Sequence, residues 1–150
     1  MNKKELKEQL VNECLRIKQE IIDNAKLAVD DIQKMANEYG QPKDRYDSYR
    51  MQLLRKRDLH AQQLQKAIEE KGIILKIDAS KSSNIVGFGS VVITSMQKLF
   101  ISVGLGKIKI NNEHYFAVSV VSPIFKQLEN KTKGDSFTIN NKEFEILEVF

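Results

Sequence analysis

Glu38-Tyr39-Gly40-Gln41-Pro42-Lys43-Asp44-Arg45-Tyr46-Asp47 is the one break in a helical pattern that otherwise fills the first seventy or so residues. Glycine and proline stop one helix here, and an acidic residue starts the next. Upstream, apolar or small residues recur at Leu6, Leu10, Cys14, Ile17, Ile21, Ala25, Ala28, Ile32, Met35 and Tyr39, every third or fourth position. That is the stripe of an amphipathic helix, with Glu, Lys and Gln on its wet faces. A helix from Lys4 to Tyr39 would be roughly 50 Å long at about 1.5 Å per residue. So long a helix with so narrow a stripe points to a coiled-coil seam.

Downstream, a second helix is expected from Asp44 to Lys71, with Tyr46, Tyr49, Leu53, His60, Leu64 and Ala67 or Ile68 turned inward. Lys56 and Arg57 interrupt that stripe, so either the seam loosens there or the long stems pack while their charges reach water. A short turn between two such helices makes an antiparallel hairpin with the turn at its far end. Gly72 is expected to close the second helix.

After Gly72 the period drops to two. Strands are expected at Ile73 to Ile77, Ser90 to Thr94, Lys98 to Val103, His114 to Val120, Ser136 to Ile139 and Glu143 to Val149. Asn111-Asn112 and Asn140-Asn141 are hairpin-turn signals. Ser122-Pro123 opens a short helix through Leu128, a capping residue followed by proline at the first helical position. The chain thus reads as α+β: a coiled-coil hairpin over residues 1–72, then a mainly antiparallel sheet domain with one short helix over 73–150.

With 150 residues and 41% hydrophobic content, wholesale disorder is excluded, and no apolar run approaches the length that spans a bilayer. The start of the chain lacks the apolar segment of a secretory signal, and a single cysteine excludes an internal disulfide, so a cytoplasmic, reducing location is expected. The net charge of +4 is unevenly placed. Residues 43–57 hold six basic residues, Lys43, Arg45, Arg50, Arg55, Lys56 and Arg57, against Asp44 and Asp47, and the rest of the chain is neutral. Such a cluster is either a solvated helix face or a surface for something anionic, such as nucleic acid.

Other constellations point away from enzymes. Cys14 belongs to the apolar stripe, and His60 and His114 lie in different halves without partners at zinc-ligand spacing. Gly87-Phe88-Gly89-Ser90 and Gly104-Leu105-Gly106-Lys107 lack the strand and helix context of a phosphate loop and read as turns. No spacing pairs a nucleophile with a base.

The run Val120-Val121-Ser122-Pro123-Ile124-Phe125-Lys126-Gln127-Leu128-Glu129-Asn130-Lys131-Thr132-Lys133-Gly134-Asp135, with Phe144-Glu145-Ile146-Leu147-Glu148-Val149 after it, resembles the end of the bacterial Gre transcript-cleavage factors. Val86-Gly87-Phe88-Gly89-Ser90-Val91-Val92 resembles that family's entry into its sheet, and a helical hairpin before such a domain is the family's layout. Asn130 stands where the family has glycine, and asparagine also accepts left-handed geometry. The resemblance implies an FKBP-like C-terminal domain docked at the rim of the RNA polymerase secondary channel, with the hairpin inserted. It carries with it the family's attributes of transcription elongation, transcription regulation and DNA binding.

In that family two tip carboxylates help hold a magnesium ion at the polymerase active site, where water cleaves the 3′ end of a backtracked transcript. On this chain Gly40 matches the family's glycine, Asp44 the second acid, and Gln41 takes the place of the first; Asp47 corresponds to a further acid. A neutral amide offers magnesium an oxygen but no charge. A helix N-cap would account for Asp44 equally well. Arg50, Arg55, Lys56 and Arg57 form a collar that would meet the polymerase or the RNA 3′ end, and Tyr46 and Tyr49 either fasten the helices or stack on a base. No cofactor of its own, no small-molecule substrate, no membrane and no active site of its own are implied, only magnesium shared with the polymerase. The alternatives are a non-cleaving competitor for the channel and a coiled-coil adaptor that has nothing to do with transcription. The FKBP-like reading does not bring prolyl isomerase activity, since the second half lacks the aromatic pocket such a site needs.

Overall fold

The computed structural model describes residues 2–41, 43–44 and 48–150. Two helices, α1 (Lys3–Tyr39) and α2 (Tyr49–Ile74), precede β1 (Val91–Thr94), β2 (Lys98–Ser102), β3 (Gly106–Ile110), β4 (Glu113–Ser119), α3 (Pro123–Leu128), β5 (Ser136–Ile139) and β6 (Lys142–Val149). By contacts the chain divides into two units, residues 1–15 with 72–150, and residues 16–71. Among the described residues, no helix is long and apolar enough to cross a membrane.

In the first unit the strands form one sheet in the order β3-β4-β2-β1-β6-β5. Every pairing is antiparallel except that of β2 with β4, which is parallel. A parallel pair needs a long crossover, and here the connection runs out through β3 and returns as β4. Two Asn-Asn turns close β3 to β4 and β5 to β6. All four asparagines are left-handed, with φ of 49° and 66° at Asn111 and Asn112 and 52° and 65° at Asn140 and Asn141, the pattern a two-residue type I′ hairpin requires. Asn130, at φ 64°, takes the left-handed geometry that its position after α3 demands.

One face of this sheet carries α3. Phe125 and Leu128 pack with Val86, Val92, Leu99, Ile101, Phe137, Ile146 and Val149. The helix is set by Ser122, whose hydroxyl accepts from the Phe125 N–H at 3.3 Å, and by Pro123 at the next position. Val91 and Phe100, which alternate with those inward residues along β1 and β2, are themselves fully buried, so both faces are covered. The first turns of α1 lie on the second face: the Lys3 ammonium pairs with Glu148 and sits 5.2 Å from the centre of the Phe150 ring. Each fully buried Leu, Ile or Phe of this core contributes about 1.5–3 kcal/mol.

Local signals account for the ends of α1 and α2, some of them against expectation. Asn2 caps α1: the Glu5 N–H donates to Asn2 Oδ1 at 2.8 Å, and the Asn2 side-chain amide donates to the Glu5 carboxylate at 3.2 Å. Gly72 does not end α2, which runs on to the fully buried Ile74, and the strand expected at Ile73 to Ile77 is the last turn of this helix and the turn after it. Glycine is a permitted stop, not an obligatory one, and burial of Ile74 outweighs its small helix penalty. Conversely, β3 is a strand where Gly104-Leu105-Gly106-Lys107 reads as a turn alone; Gly106, at φ 74°, opens it and Ile108 and Ile110 are its buried alternation.

Candidate functional site

In the second unit, contacts between α1 and α2 step down one helix as they step up the other. Lys18 Nζ lies 3.2 Å from a Glu70 carboxylate oxygen, and Lys71 Nζ donates to Gln19 Oε1 at 2.6 Å. Further along, Arg57 Nη1 donates to Gln33 Oε1 at 2.6 Å, and Ile32 and Ala36 pack with Leu53. Last, the Tyr39 and Tyr49 rings meet edge to face with centroids 4.9 Å apart. The helices are therefore antiparallel, and Gly40, Gln41, Lys43 and Asp44 lie in the connection between them.

The buried stripe of α1 is not the one expected. Leu10, Cys14, Ala25 and Ile32 are buried, but Lys18, Ile22 and Ala36 replace Ile17, Ile21 and Met35, and Ile21 and Met35 are exposed. At these three positions the buried residue is the one that follows the apolar residue expected, while Leu10, Cys14, Ala25 and Ile32 keep to the expected stripe. A lysine stem can pack if its ammonium finds a partner, and Glu70 supplies it. On α2, Leu53 and Ala67 are buried, Tyr49 and Ile68 are exposed, and His60 and Leu64 are half-buried.

Gly40 makes the turn possible. Its φ of 79° is left-handed, and its N–H donates to the Ala36 carbonyl at 3.1 Å, closing the last turn of α1. Beyond it Gln41, Lys43 and Asp44 are all exposed. The Lys43 ammonium folds back, donating to the Tyr39 carbonyl at 3.3 Å and lying 4.9 Å from the Tyr39 ring centre. The basic cluster in the sequence pointed to Lys43 as a charge but not to this contact, for which the only signal is a tyrosine four residues before. Asp44 is not the N-cap of α2. That helix starts at Tyr49, and Ser48 occupies the position before it, its carbonyl accepting from the Gln52 N–H at 2.9 Å. Pro42, Arg45, Tyr46 and Asp47 lie outside the described residues, and with them the expected partnership of Asp44 with Asp47.

The collar of basic residues separates into distinct roles. Arg57 is half-buried and committed: besides Gln33 it grips Asp58 Oδ1 through Nε at 3.0 Å and Nη2 at 2.6 Å. Arg50 is half-buried, and its buried Nε finds no hydrogen-bond partner among the described residues. Arg55 and Lys56 are exposed, and Arg55 reaches back to the Met51 sulfur at 3.5 Å. Thus Arg55 and Lys56 are the outward cations of the set, while Arg57 fastens the two helices.

Among the described residues no three His, Cys, Asp or Glu side chains come together to hold a metal ion. Gln41 and Asp44 offer one amide and one carboxylate oxygen, short of the oxygen shell magnesium demands. Cys14 is buried and forms no disulfide.

Fold and turn together define a helical hairpin with an acidic and basic turn, joined in sequence to a six-stranded mixed sheet carrying one short helix. Two solved structures are similar to this chain, those of the GreA factor homolog 1 (Gfh1) protein of Thermus thermophilus and of the transcription factor Gfh1. Each is 16% identical with a TM-score of 0.34, over 91% of this chain and 94% and 93% of theirs respectively. No protein-family model and no curated protein sequence matches the chain.

Proposed function

We propose that this chain is a divergent Gre-like regulator of transcription elongation, a cytoplasmic protein that binds RNA polymerase and places its hairpin turn in the secondary channel. The observation that carries the reading is the turn itself: an antiparallel hairpin held by cross-helix contacts up to Tyr39 and Tyr49, ending in exposed Gln41, Lys43 and Asp44. The Gre-like motifs of residues 86–92, 120–135 and 144–149 support it, and on this reading the sheet domain is FKBP-like and docks at the channel rim. The protein has no active site of its own; hydrolysis, where it occurs, belongs to the polymerase.

Gln41 favours a particular version of this role. With one carboxylate at the turn in place of two, the hairpin fills the channel and competes for it, and it stimulates cleavage weakly or not at all. Arg55 and Lys56 are the side chains placed to meet acidic channel walls or the RNA 3′ segment.

Backtracked elongation complexes incubated with the protein test this directly, with transcript 3′ ends followed on a gel. The wild type slows rescue by an active cleavage factor without shortening RNA itself, and Gln41→Asp gains cleavage that Asp44→Ala abolishes. Failure to bind polymerase at all would overturn the reading and favour a coiled-coil adaptor.

A further inference from the structure

Where the first turns of α1 meet the segment leading from α2 to β1, within the first unit, a cleft of about 350 Å³ opens. It lies at the lower end of the range of small-molecule sites, roughly 300–1,000 Å³. Its walls present Lys7, Lys76, Lys81, Ser82, Ser83 and Phe88. Three lysines share this lining with a single acid, Asp78, whose carboxylate is engaged locally by the Ser80 N–H at 3.0 Å and the Ser80 hydroxyl at 2.5 Å. The lining therefore carries an excess of positive charge beside the Ser82 hydroxyl, while the Ser83 hydroxyl donates to the Ile85 carbonyl at 3.2 Å.

Lys7 is the telling residue. It is only 5% exposed, and its ammonium donates to the Lys81 carbonyl at 2.8 Å. An ammonium has three donors, and a carbonyl brings no counter-charge. Burial holds its pKa below the ordinary lysine range, with Asp78 acting in the opposite direction. If packing were the whole role of this position, an apolar side chain would serve it without the cost of a buried charge. Asp78 is the one acid of a lining that holds three lysines, and an anion in the cleft would supply the remaining counter-charge. Phe88, 42% exposed, adds a flat apolar ring to the same wall, and such rings accept stacked bases.

We infer that this cleft binds a nucleotide, its phosphates held by Lys7, Lys76, Lys81 and the Ser82 hydroxyl and its base laid against Phe88. The site uses none of the hairpin-turn residues and does not depend on the function proposed for them.

The test is amide NMR on the full chain, titrated in parallel with ADP and with inorganic pyrophosphate. Saturable shifts confined to residues near Lys7 and between Lys76 and Ser90 are expected with both, ADP binding the more tightly. Lys76 and Lys81 are exposed, so the Lys76→Gln/Lys81→Gln variant should fold; it is expected to weaken both ligands by about tenfold or more. Phe88→Ala should weaken ADP about fivefold or more and leave pyrophosphate unchanged. Shifts that fail to saturate, or that gather on the hairpin arginines, would overturn the site. Equal affinity for ADP and pyrophosphate, indifferent to Phe88→Ala, would overturn the nucleotide assignment.

Discussion

Removing Glu70 should damage the hairpin more than removing its partner Lys18. The Lys18 side chain is 7% exposed and that of Glu70 17% exposed, with their charges 3.2 Å apart. Breaking such a pair from one side leaves a buried charge, at a cost of about 3–5 kcal/mol in fully enclosed sites. The two sides are not equivalent, because Glu70 also has Lys66 Nζ at 3.9 Å on its solvent side. Without Lys18, Glu70 keeps an ion-pair partner and some water; without Glu70, the Lys18 ammonium loses its carboxylate partner across the hairpin and has little access to solvent. Glu70→Leu is therefore expected to cost about 3 kcal/mol and Lys18→Met about 1.5 kcal/mol. Replacing both removes the charges together, and the Lys18→Met/Glu70→Leu double variant should lose no more than about 1.5 kcal/mol, which implies a coupling of roughly 3 kcal/mol. Urea unfolding of the full chain by far-ultraviolet circular dichroism gives the three values, and Tm should follow at about 2–4 °C per kcal/mol. Equal costs for the two single variants, or a double variant as damaging as both singles combined, would refute the reasoning.

Three further outcomes follow from local geometry. Gly40 and Gly72 respond oppositely to alanine: at Gly40, φ 79°, the side chain is strained and Gly40→Ala should lower stability by about 1–2 kcal/mol. At helical Gly72 an added Cβ meets nothing within 4 Å, so Gly72→Ala should raise stability by about 0.5–1 kcal/mol in the same melts. Ser122→Ala removes the cap of α3 and should cost about 1 kcal/mol, while Ser122→Asp should retain most of it, as thermal melts would show. The Lys98 ammonium, hydrogen-bonded to Glu113, holds that carboxyl below the ordinary glutamate range. Because the folded value is depressed, the stability contributed by this pair is present above the unfolded glutamate pKa of about 4.3 and is lost as pH falls through the folded value. An NMR titration of the Glu113 carboxyl should find its midpoint below that of a free glutamate, and Lys98→Met should return it.

What could be read from the sequence is what short stretches dictate by themselves. Glycine at residue 40, the two Asn-Asn pairs and Ser122-Pro123 each act through backbone geometry or a cap within a few residues, and each has the expected effect. The β1, β2, β4, β5 and β6 spans lie within a residue or so of the expected ones for the same reason. Features settled by tertiary contact are those the pattern misses. Ile73-Ile74-Leu75-Lys76-Ile77 is apolar enough for a strand or a helix end, and only the burial of Ile74 decides. The short β3, with glycine on either side of Leu105, becomes a strand by pairing with β4. Asp44, an acid before a helical stretch, looks like a cap, yet α2 starts only at Tyr49, behind Ser48.

The α1 seam is the most instructive miss, because it bears on the turn. An apolar count favours Ile17, Ile21 and Met35, whereas the structure buries Lys18, Ile22 and Ala36. Apolar contacts alone specify such a hairpin weakly. Ala25, Ala36 and Ala67 are small, and neighbouring turns offer similar residues, so sliding one helix by a turn would cost little hydrophobic burial. Polar cross-pairs make that slide expensive: Lys18 with Glu70, Lys71 with Gln19 and Arg57 with Gln33 are all made in one register and all broken by a shift of one turn, about 5.4 Å. The same register sets Tyr39 against Tyr49 and so determines which residues form the turn. Charges buried along the seam thus act at a distance on Gln41 and Asp44, by fixing where the chain is allowed to reverse.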